Sequence, residues 1–165
     1  SPNKLFLIIG PASDLMVVSR PAKGGGGKKA AIIMMGALIN PSQPVLILPQ
    51  KWVRIGFERI AIAWKNGQTE SLLVHSLLPL LKAAKDVVLI TEGKYHQFAA
   101  CASDMTQYLN AHGVKARRKQ VTASKTADAL VKTTKAEKAG MLVCGAFNRR
   151  SLTSQRLLGG APSSY

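Results

Sequence analysis

From residue 58 onward, short β-rich apolar runs alternate with longer stretches whose apolar residues recur at helical spacing. Residues 59–64 (RIAIAW) form the first run and lead into the turn-forming pair Asn66-Gly67. Over 69–84, Leu72, Leu73, Leu77, Leu80, Leu81 and Ala84 fall near the helical period. Pro79 is expected to kink that helix or shift its register, because it has no backbone N–H to donate. Residues 86–91 (DVVLIT) predict a second strand, and 98–112 a helix stopped by Gly113. A more polar strand nearer a sheet edge is expected over 114–121. Residues 123–139 predict an amphipathic helix with Ala127, Leu130 and Val131 inward and lysines outward. Residues 141–145 (MLVCG) complete the pattern with a fourth short strand.

Strands separated by helices of this length pair in parallel, which requires an open parallel sheet with helices on both faces. Such α/β sheets bind ligands beyond the carboxyl ends of their strands, where the connections diverge. That singles out two loops, 65–68 after the first strand and 146–160 after the fourth. The first fifty residues repeat part of the pattern: a strand over 14–19, a helix over 28–39 and a strand from Pro44 to Leu48. Residues 51–58, with an exposed Trp52, read as a linker. The opening apolar segment Leu5–Ile9 fits either a strand or a buried turn. Gly24–Gly27 followed by Lys28-Lys29 lacks the first glycine and the hydroxyl residue of a phosphate-binding P-loop, and reads as a flexible linker before a helix.

Composition narrows the class. The chain has 165 residues, 47% of them apolar, and a mean hydropathy of +0.08, enough for a real core. No apolar run reaches the ~18 residues of a membrane span and no secretory leader is evident, so a cytoplasmic protein is expected. Cys101 and Cys144, far apart and without clustered histidines, predict two buried reduced thiols and no metal site. The net charge of +15 invites an anionic partner, nucleic acid included. The one dense basic knot, Lys115, Arg117, Arg118 and Lys119, carries no aromatic platform and reads as a solvated face.

These stretches, taken in order, resemble the tandem universal stress proteins. IAIAWKNG, the helix ending LLPLLKAA, DVVLI, YLNAHGVKA, the A-D-A-L helix and LVCGAFNRRS…RLLGGA are similar to the second repeat. SDLMVVSRP…GALINPSQPVLILP is similar to the closing strand-helix-strand of the first. The resemblance implies a universal stress protein-type, adenine nucleotide alpha hydrolase-like fold, with residues 1–50 ending one repeat, 51–58 linking, and 59–165 forming a second repeat without its last helix and strand. It also implies a stress-response module that binds an adenine nucleotide, ATP or AMP.

The family's nucleotide loop runs glycine, two residues, glycine, nine residues, then Gly followed by Ser or Thr. Small residues there let backbone N–H groups approach phosphates. Here Gly145 matches the first glycine, Asn148 replaces the second, and Gly159, Gly160 and Ala161 follow one residue late. Asparagine tolerates the left-handed backbone that glycine supplies. The family's acidic residue after the first strand is Lys65 here, leaving Lys65, Arg149 and Arg150 as cations for phosphates, with Ala63 and Trp64 near the base. A degenerate loop that binds nothing, leaving an interaction domain, and a basic nucleic acid-associated protein remain alternatives. No catalytic constellation stands out: His75, His96 and His112 read as structural, and eight acidic residues offer few metal ligands. Any ATP hydrolysis is expected to be slow and incidental. The first unit can either fold back to complete the sheet of residues 58–145 or pair with a second copy. Family members usually associate through their final strands, and the resemblance therefore favours a homodimer through the strand from Pro44 to Leu48.

Overall fold

The computed structural model describes residues 6, 8, 10–22, 27–39, 43–51, 56–65, 68–92, 101–121 and 127–145. The chain divides into two compact units, residues 1–54 and 55–165.

In the first unit, a short 3₁₀ turn (Gly10–Ala12) precedes β1 (Met16–Ser19), α1 (Lys28–Ile39) and β2 (Val45–Leu48). The two strands pair in parallel, Met16 opposite Val45 and Ser19 opposite Leu48. Val18, Met34, Ala37 and Leu38 make the buried seam between sheet and helix. Gly27 ends the glycine run with a fixed contact: a Cβ there would stand 2.6 Å from the carbonyl oxygen of Ala22. That residue is therefore part of a packed helix entry, whereas residues 23–26 lie outside the described set. Phe6 and Ile8 are helical and Ile8 is 75% exposed, so the opening segment is neither a strand nor a buried turn there.

The second unit contains β3 (Arg59–Trp64), α2 (Gln68–Ser76), α3 (Leu78–Ala83), β4 (Asp86–Glu92), α4 (Ala102–Ala111), β5 (Ala116–Val121), α5 (Ala127–Ala136) and β6 (Met141–Cys144). Its strands form one parallel sheet in the order β5-β4-β3-β6, as the alternation of periods predicts. Successive strand residues face opposite sides. Ile60, Ile62, Trp64, Val87, Leu89 and Val143 therefore meet Val74, Leu81, Met105 and Leu109 of α2, α3 and α4 on one face. Ala61, Val88 and Ile90 face the other side, where Leu130 of α5 and Leu142 pack. Each fully buried Ile or Leu contributes about 1.5–3 kcal/mol by leaving water, so the first and larger cluster dominates. The polar strand β5 lies at one edge of the sheet, as expected.

The predicted kinked helix is two helices. The chain breaks at Leu77, and Pro79 sits in the first turn of α3, where a missing N–H leaves no intrahelical bond unmade. The inward stripe of Val74, Leu77, Leu81 and Ala84 keeps its helical spacing across the break, and Leu72, which lies off that stripe, is 61% exposed. Gly113 ends the next helix region with φ +81°, and Val114 N–H donates back to the carbonyl of Leu109 at 3.0 Å. The expectation of two buried thiols is corrected: Cys101 is half-buried and Cys144 exposed, both free. Cys144 is the last residue of β6, the outermost strand on its side of the described sheet.

An ion-pair clasp ties β4, β5 and the α5–β6 turn together. Arg117 donates through Nε and Nη2 to Asp86 at 3.0 and 2.9 Å, and through Nη2 to Glu137 at 2.7 Å. Lys119 approaches Glu137 at 3.6 Å. The hydrogen bond from Arg117 holds the Glu137 carboxyl below its ordinary range, while the two carboxylates raise the guanidinium. A carboxylate with a depressed folded pKa stabilises above its unfolded pKa, and that contribution disappears as pH falls through the folded value. Arg117→Met is therefore expected to cost about 1 kcal/mol at neutral pH, solvent screening keeping it small. The gap between wild-type and variant melting temperatures should close below the ordinary carboxylate range. An equal gap at pH 3 and pH 7 would refute the clasp.

Candidate functional site

Sheet order, more than any single residue, makes the site. The chain leaves β3 towards β4 and β5, then returns to place β6 on β3's other side. Connections diverge at the carboxyl ends of β3 and β6, which is the switch point where open α/β sheets bind ligands. Ala63 stands opposite Cys144 in register. The next residues along each strand, Trp64 with Lys65 and Gly145, thus stand at the same end of the sheet.

Its chemistry is mixed. Lys65 is exposed. Trp64 is 2% exposed, and its indole N–H is buried without a hydrogen-bond partner. An unmade bond of that kind costs about 1–3 kcal/mol. Glu70 lies in the first turn of α2, where a negative charge favours the helix N-terminus. Its carboxylate lies over Gly145: a Cβ on that glycine would stand 2.8 Å from Glu70 Oε1. The backbone of Gly145 is thus a bare surface that any side chain would fill. Cys144 is exposed by surface area, yet the protein mass around its sulfur pushes the thiol up. The Lys65 charge pulls the thiol down and Glu70 adds to the rise, so both charges act on the same spot.

The sheet therefore brings Ala63, Trp64, Lys65 and Gly145 together. Asn148, Arg149, Arg150, Gly159, Gly160 and Ala161 lie outside the described residues. Glu70 escaped the sequence reading; its signal, an acid in the first turn of the helix after the first strand, also suits a plain helix start. The described histidines have structural surroundings. The ring of Tyr108 lies 5.0 Å from that of His75 and 4.2 Å from that of His112, whose Nδ1 is 2.9 Å from the Tyr108 carbonyl. Among the described residues, no group of three His, Cys, Asp or Glu side chains could hold a metal, and no helix is long and apolar enough to cross a membrane. No family model, curated protein or solved structure matches this chain.

Proposed function

We propose that the second unit is a universal stress protein-type module that binds an adenine nucleotide, ATP or AMP, at the carboxyl ends of β3 and β6. The observation that carries this reading is the adjacency of β3 and β6, which sets Lys65 beside Gly145 at the switch point. The bare backbone of Gly145 admits close approach of a ligand, and Lys65 offers a point charge to phosphate. Glu70 adds a constraint of its own. A carboxylate repels phosphate and accepts hydrogen bonds from hydroxyls, so the ribose belongs beside Glu70 and Gly145. The phosphates are left to Lys65 and to the loop after β6, whose Arg149, Arg150, Gly159 and Gly160 lie outside the described residues. In this proposal the module works by binding, in the cytoplasm, and nucleotide state is read out through a homodimer at the strand from Pro44 to Leu48. Val17, 53% exposed on the strand paired with β2, gives that sheet an apolar face to cover.

A thermal-shift panel tests the proposal. A ligand that binds only the folded state at about a hundred times its Kd stabilises by about 2.7 kcal/mol. In a domain of this size that is about 10 °C. ATP or AMP should produce such a shift, and replacing Gly159 and Gly160 by leucine should abolish it. No shift with any adenine nucleotide leaves the degenerate interaction domain. An unchanged shift in the double variant moves the ligand elsewhere. Sedimentation at micromolar concentration reads the dimer, which a strictly monomeric species refutes.

A further inference from the structure

The opposite end of the sheet carries an unbalanced line of positive charge. The register sets the starts of the strands side by side: Arg59 is opposite Asp86, and Val87 is opposite Ala116. Gly140 N–H donates to the Arg59 carbonyl at 3.0 Å, and Val87 N–H to the Lys115 carbonyl at 2.9 Å. Lys115, Arg59 and Lys138 therefore stand along the amino-terminal rim of β5, β3 and β6, and all three are exposed. Lys82 in the last turn of α3 and Lys135 in the last turn of α5 flank the rim on its two faces.

The carboxylates of this rim are already engaged. Glu58 pairs with Lys85 at 2.9 Å, and Asp86 and Glu137 are held by Arg117 at 2.9 and 2.7 Å. None of those pairs involves Arg59, Lys82, Lys115, Lys135 or Lys138. Helix C-termini attract cations, which accounts for Lys82 and Lys135. They do not account for Arg59 and Lys115, which stand at strand starts. Glu58, Asp86 and Glu137 stand among these cations, with Asp86 opposite Arg59, but Arg59, Lys82, Lys85, Lys115, Arg117, Lys135 and Lys138 outnumber them, so the described rim carries an excess of positive charge.

We infer that this rim binds the phosphate backbone of a double-stranded nucleic acid without reading its sequence. Four strand starts span about 14 Å at ~4.8 Å per strand. A duplex presents one phosphate charge per ~1.7 Å of its axis, counted over both strands, so a rim of this span can face phosphates of both strands. Counterion release per contact is larger from a duplex than from a single strand, and it supplies most of sequence-independent affinity. The net charge of +15 adds long-range attraction in the same sense. Lying at the opposite end of the strands from Lys65 and Gly145, the rim does not depend on the nucleotide proposal.

Fluorescence anisotropy with a labelled duplex DNA of about twenty base pairs tests this across about 50–200 mM salt. Four or five phosphate contacts give a log–log slope of about −4, hence a loss of about two hundredfold over that range. Arg59→Gln with Lys115→Gln should flatten the slope by about two and weaken low-salt binding at least tenfold. Lys28→Gln with Lys29→Gln removes the same net charge from exposed residues of the other unit and should leave the slope unchanged. Melting temperatures of both variants check that each is folded; if the glutamine pair is not, Lys115→Ser alone should flatten the slope by about one. No duplex binding at the lowest salt overturns the inference. So does equal weakening in both variants, or tighter binding of the matching single strand.

Discussion

Replacing Gly140 by alanine is expected to cost about 3 kcal/mol of stability. A Cβ at that position would collide with the backbone carbonyl of Gly56, and a backbone cannot swing aside as a side chain can. The residue also donates its N–H to the Arg59 carbonyl at 3.0 Å, so displacement would loosen β6 from β3 at its first rung. Because the proposed site needs β6 against β3, the variant should also lose any nucleotide-induced stabilisation. Gly145→Ala provides the contrast. Its Cβ would meet only the end of the Glu70 side chain, which can rotate away, so the expected change in stability is below about 1 kcal/mol. Gly56→Ala meets nothing within 4 Å and should be neutral. Urea denaturation of the three variants checks the ordering. A Gly140→Ala protein as stable as Gly56→Ala would refute the described approach of the two chain segments.

The second large effect separates two leucines that the sequence treats alike. Leu81→Ala should destabilise by about 2–5 kcal/mol, because Leu81 is fully buried in the main cluster and its loss leaves a cavity. Leu72→Ala should change stability by no more than about 0.5 kcal/mol, since Leu72 is 61% exposed. Chemical denaturation of both variants under one set of conditions decides the matter. Equal costs would refute the inward stripe of Val74, Leu77, Leu81 and Ala84.

That pair also marks where sequence reasoning stops. A stripe read at helical spacing has a centre and two margins: Leu77, Leu81 and Ala84 fall on it, whereas Leu72 falls beyond one margin. Val74, fully buried, shares that stripe, three residues before Leu77 and seven before Leu81, and was not anticipated. The buried-thiol expectation failed for a related reason. A small apolar residue at a strand end looks buried by type, but Cys144 falls where the sheet runs out.

The sequence alone determined the class of the second unit and the extents of α1 and β3. Local backbone preferences and two hydrophobic periods suffice for that, and parallel pairing follows from connections too long for hairpins. It marked the loop that begins at Lys65 because ligand loops follow strand ends in such folds, and Gly145 through the resemblance to the universal stress protein nucleotide loop. Tertiary structure decided what stands around them. Glu70 reaches Gly145 only because α2 starts at the end of the sheet where β3 and β6 lie side by side. The charge pattern was likewise illegible along the chain, where Lys115, Arg117 and Lys119 read as one basic knot. Folding carries Arg117 and Lys119 into pairs with Glu137 and leaves Lys115 in line with Arg59 and Lys138. The physical reason is one of range: helix and strand propensities act over a few residues, whereas ion pairing and strand adjacency join residues that only the folded sheet brings within a few ångströms.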